Sequence, residues 1–84
     1  MPTISYFYGI TILMFYRGKE HNPPHIHAVT HDEAAVFSIQ TGELMEGRLP
    51  NRARHMVEDF IHLYRKDLME MWETGNYRRL PPVE

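Results

Sequence analysis

The sequence predicts an α+β domain: a small antiparallel meander of about four strands, followed by one or two C-terminal helices packed on one face. Three observations carry that expectation. β-branched and aromatic residues concentrate in the first half of the chain. The apolar runs there are joined by connections too short for parallel crossovers, which need a dozen or more residues. From Ala53 onward the apolar residues recur at intervals of three and four, the period of a helix. Strands first and helices second give a two-layer arrangement. At 84 residues there is room for one core, here assigned to residues 1–75, with 76–84 as a loosely held tail.

Taken in order, Pro2-Thr3-Ile4 suits a short edge strand, since proline is tolerated where a strand begins. Gly9 interrupts it, and Ile10 to Tyr16 is the clearest strand in the chain. With His25 to Thr30 it forms a long hairpin whose tip carries Pro23-Pro24. His31-Asp32-Glu33 is a turn, and Ala34 to Ile39 is the next strand. Gln40-Thr41-Gly42-Glu43 has the composition of a tight connection to a short last strand, Leu44 to Glu46, closed by Gly47. Pro50 suits a first helical position, where its missing N–H costs nothing. Ala53, Met56, Val57, Phe60, Ile61 and Tyr64 then mark one helical stripe, and the polar Arg65-Lys66-Asp67 insert predicts a break into a second helix that stops at Gly75.

Composition narrows the function. The chain has no cysteine, which removes disulfides, thiolate zinc sites and cysteine nucleophiles together. A net charge of −2 disfavours a field-driven nucleic-acid binder. No signal peptide and no membrane span are legible, so a soluble cytoplasmic protein is expected. Apolar residues on both faces of the Ile10–Tyr16 strand ask for cover on two sides, so a homodimer or a partner protein is expected over the face the helices leave bare.

The chemistry gathers in His21-Asn22-Pro23-Pro24-His25-Ile26-His27, where three of the six histidines fall within one short stretch. The diproline stiffens the entry, and strand alternation then puts His25 and His27 on one face. Four uses of this stretch are open. His21, His25 and His27 suit a divalent metal such as zinc, with a fourth position left for water. His25 and His27 suit metal-free acid–base chemistry on a phosphodiester, as in a toxin-type ribonuclease acting on RNA. A rigid loop carrying rings suits contact with another protein. The plainest use is internal, with each imidazole bonded across the hairpin as a half-buried polar group. Two familiar histidine motifs do not fit. A cupin needs an eight-stranded jelly roll, and a histidine-triad hydrolase needs histidine where Val29 stands. A second cluster, Arg48, Arg52 and Arg54, surrounds a helix start, where basic residues oppose the dipole unless an anion such as phosphate sits there. Glu43 and Glu46 are the acids expected to neutralise those arginines otherwise.

The opening Pro2-Thr3-Ile4, the Gly9-Ile10 strand, the His-Asn-Pro-Pro-His-x-His string, Thr41-Gly42-Glu43, Glu46-Gly47 and Leu49-Pro50 together resemble the DUF4160 family of small bacterial proteins. The similarity runs to about Trp72. The resemblance implies a second small protein encoded nearby, in an arrangement similar to toxin–antitoxin pairs, and names no reaction. The reading that follows is a binding or regulatory component of such a two-protein module, with the His21–His27 loop as its working surface. The alternative is a histidine-dependent, metal-assisted or metal-free RNA hydrolase.

Overall fold

The computed structural model describes residues 2–15 and 23–83. Five strands come first: β1 (Thr3–Phe7), β2 (Ile10–Leu13), β3 (His25–Val29), β4 (Ala34–Ser38) and β5 (Leu44–Gly47). One helix follows, α1 (Asn51–Thr74). The sheet order is β1-β2-β3-β4-β5, with every neighbouring pair antiparallel. This is the expected meander with one strand more, because Thr3–Phe7 pairs fully as an edge.

The turns explain the order. Tyr8 and Gly9 both have positive φ, 50° and 78°, between the paired Phe7 and Ile10. Two consecutive left-handed residues make a primed turn, whose twist matches that of the strands it joins. At Gly47 (φ +79°) a Cβ would lie 2.3 Å from the Ala34 carbonyl oxygen, so only glycine lets β5 lie this close to β4.

Ile12 faces Ala28, Ala28 faces Ala35, and Ile26 faces Phe37, all buried on the side covered by α1. From the helix, Val57, Phe60, Ile61, Leu68 and Met71 meet them. Phe60 lies 5.3 Å from the ring of Phe7 and 5.1 Å from Tyr64. Fully buried side chains of this size each contribute roughly 1.5–3 kcal/mol.

The helix departs from expectation in two details. Pro50 (φ −56°, ψ 149°) is extended and precedes the helix as its N-cap, and its carbonyl accepts the Arg54 amide at 2.9 Å. The expected break is only a kink: Tyr64 alone leaves helical geometry (φ −113°, ψ 22°), and one helix continues through it. Beside the kink, Arg65 Nε donates to the Ile39 carbonyl at 3.0 Å, tying the middle of α1 to the end of β4.

After Gly75, whose amide caps the helix on Met71 O at 2.9 Å, the chain returns to the sheet. The Leu80 amide donates to Ile4 O at 2.7 Å and the Ser5 hydroxyl donates to Leu80 O at 3.0 Å. Arg78 pairs with Asp67, and Leu80 is buried. The segment expected to hang loosely from residue 76 therefore carries one backbone bond and one side-chain bond to β1. No described helix is long and apolar enough to cross a membrane.

Candidate functional site

The β-ladders sort the remaining sheet residues into rows on the face opposite α1. One row runs Tyr6, Thr11, Val29, Ala34. The next runs Thr3, Leu13, His27, Val36, Glu46. Leu13, Phe15, His27, Val29 and Val36 are half-buried, and Tyr6 is 58% exposed. The last turns of α1 reach this face at one corner.

His25 and His27 fall on one side of β3, as alternation requires, with ring centroids 5.2 Å apart. They belong to a file of four rings. Phe15 meets His27 edge-on at 4.4 Å, and Trp72, from the last turns of α1, comes within 5.0 Å of His25. Trp72 closes the corner of the sheet where β3 begins, which leaves His25 only 6% exposed. The His25 Nδ1 lies 2.9 Å from Pro23 O. A carbonyl can only accept, so Nδ1 carries the hydrogen, and Nε2 in the neutral ring is the acceptor. The diproline thus orients the imidazole through its own backbone. His27 Nε2 is shielded from solvent.

His21 lies outside the described residues. Among the described residues no three His, Asp or Glu side chains gather where they could hold a metal. Of the expected metal set, His25 and His27 are brought together. His31, His55 and His62 are exposed and apart from them.

The arginines stand at the other end of the molecule. Arg48 leaves β5 beside Ala34, its amide 3.3 Å from Ala34 O, whereas His25 pairs with Ser38 at the opposite end of β4. Those ends are four steps apart along the strand, roughly 13 Å at the rise of a β-strand. Arg48, Arg52 and Arg54 are therefore not brought to the histidines. Arg48 Nε lies 3.4 Å from Glu33, and Arg54 bonds Glu58 at 2.9 Å, one turn along the helix. Glu33 and Glu58, rather than Glu43 and Glu46, are the acids that meet them.

Arg52 instead lines a cleft of about 560 Å³ between the β1–β2 turn, the β3–β4 turn and the start of α1. Tyr8, Ile10, Thr30 and Met56 also line it, none of them singled out from sequence. The one available signal was the helix start itself, which has no acidic residue in its first turn and no side-chain cap. Asp32 and Glu33 line the same cleft, so its walls carry both signs of charge.

No curated protein and no solved structure matches the chain. A family model described as a domain of unknown function, DUF4160, matches residues 9–73, from the β1–β2 turn to the last turn of the helix. The match takes in the diproline, both strand histidines and all three arginines, and the chain belongs to the DUF4160 family.

Proposed function

We propose that this chain is the binding component of a two-protein, toxin–antitoxin-like module, and that the face of its sheet opposite the core receives the partner. The observation that carries this reading is the row Leu13–His27–Val36, half-buried on the face of the sheet opposite the helix-packed core. Apolar and aromatic groups mixed with a few polar ones are the composition of interface centres. The His25–Trp72 contact and the His25–Pro23 bond hold the histidine strand rigid, which lowers the entropy lost on docking. A hydrolase would need both imidazoles within reach of a phosphodiester. With His25 6% exposed and its Nδ1 bonded to its own chain, the pair suits packing and presentation better than proton transfer.

The test is co-expression with the small protein encoded next to it, followed by co-purification and affinity measurement. Leu13→Arg puts a charge into the row and is expected to weaken the complex by at least about tenfold, with melting moved by less than about 4 °C. Absence of a complex at micromolar concentration, or full affinity in the Leu13→Arg protein, overturns the proposal.

A further inference from the structure

The two margins of the sheet are treated differently. Along β1, Leu80 supplies an amide to Ile4 O and accepts from the Ser5 hydroxyl, so that margin is occupied. Along β5 all four residues are exposed, including Leu44 at 38% and Met45 at 46%. Natural sheets blunt an open edge with short strands, bulges, charges, lysine or proline; Leu44–Gly47 is short, shifted in register and carries Glu46, but has neither lysine nor proline.

The direction of the edge's peptide groups follows from its bonds to β4. The Ser38 amide donates to Glu43 O at 2.9 Å, and the Arg48 amide donates to Ala34 O at 3.3 Å. Those two residues spend their backbone groups inward. Alternation then turns the peptide groups of their neighbours, Leu44 and Gly47, outward. A regular strand presents outward groups at every second residue. Here they lie three apart, because the register shifts between the Val36–Glu46 and Phe37–Leu44 pairs. A strand that meets both must carry the same irregular spacing, and the strand known to carry it is β5 of a second copy.

We propose that two copies of this chain join β5 to β5, antiparallel about a two-fold axis, merging their sheets into one. In the register that pairs Leu44 with Gly47 of the other copy, Met45 stands opposite Glu46. Glu43 then stands opposite Arg48, at both ends of the seam, and opposite charges facing across strands are favourable. No like charges face each other in this register. Arg48 is free to turn toward the seam, since its side chain is 87% exposed and its pairing with Glu33 is a 3.4 Å surface contact. A two-fold axis makes each of these pairings occur twice. This seam is separate from the sheet face proposed above for the partner protein, and each surface is tested by its own substitution.

The experiment is sedimentation equilibrium on the full chain at concentrations from about 1 to 100 μM, a range that brackets typical weak self-association. The wild-type chain is expected to dimerise within it. Glu43→Arg sets arginine against arginine and is expected to raise the dissociation constant at least about tenfold. The double variant Glu43→Arg/Arg48→Glu restores opposite charges and is expected to return within about threefold of wild type. Circular dichroism on each protein confirms an intact fold. A wild-type chain that stays monomeric at the top of the range overturns the proposal. So does a Glu43→Arg protein that dimerises as well as wild type. A dimer abolished by Leu13→Arg on the sheet face overturns it too, because that result moves the seam off β5.

Discussion

Replacing His25 by alanine separates a histidine that holds the fold from one retained only for chemistry. The ring is 6% exposed, its Nδ1 donates to Pro23 O at 2.9 Å, and it touches Trp72 and His27 at 5.0 and 5.2 Å. A hydrogen bond of this kind contributes about 1 kcal/mol. Ring contacts contribute about 0.5–1.5 kcal/mol each, and the space left behind adds to the loss. His25→Ala should therefore cost about 2–4 kcal/mol. Trp72 is the single tryptophan and lies against the substituted site, so its fluorescence reports both the local change and global unfolding. With a urea slope of about 1 kcal/mol per molar for so small a domain, the midpoint should fall by at least about 2 M. His25→Phe keeps a ring beside Trp72 and gives up only the bond to Pro23, so it should recover more than half of the loss. An alanine variant whose midpoint matches wild type would refute the reasoning, because the ring would then carry no structural load.

Two further predictions concern the margins of the sheet. Gly47→Ala places a Cβ 2.3 Å from Ala34 O at a φ of +79° and should cost at least about 2 kcal/mol, lowering the melting temperature by about 8 °C or more; a drop under about 3 °C would show that β5 shifts freely. Leu80→Ala keeps the backbone bonds to β1 but empties a buried position, with an expected loss of about 2 kcal/mol in chemical denaturation. Equal stability in that variant would mean the returning tail adds nothing to the core.

The meander was legible because its connections are short and because β2 alternates cleanly. Ile10, Ile12 and Met14 are buried while Leu13 and Phe15 are half-buried, as the period of two requires. The helix was legible from its stripe, and the polar insert after Tyr64 did mark an irregularity. That irregularity is a kink at the single residue Tyr64, within a helix that spans Asn51–Thr74. His25 and His27 sharing a side is a local property of a strand and could be read directly. The distance from them to the arginines is not local. It depends on which end of the sheet receives the helix start, and that is decided by the apolar contacts of Val57, Phe60 and Met71. The partners Glu33 and Glu58 were missed for different reasons. Glu33 reaches Arg48 only through strand pairing, whereas Glu58 lies four residues after Arg54 and follows from helix spacing alone.

The clasp between Ser5, Ile4 and Leu80 joins positions 75 apart in Ser5 and Leu80. During synthesis β1 therefore emerges with one flank bare, and it waits for the other four strands, the helix and the segment after it before that flank is closed. Closing so long a loop is slow compared with forming a hairpin or a helical turn. β1 precedes the other strands of this sheet and yet waits for the segment after the helix, and any ligand or chaperone that reads a naked strand has its opportunity in that interval.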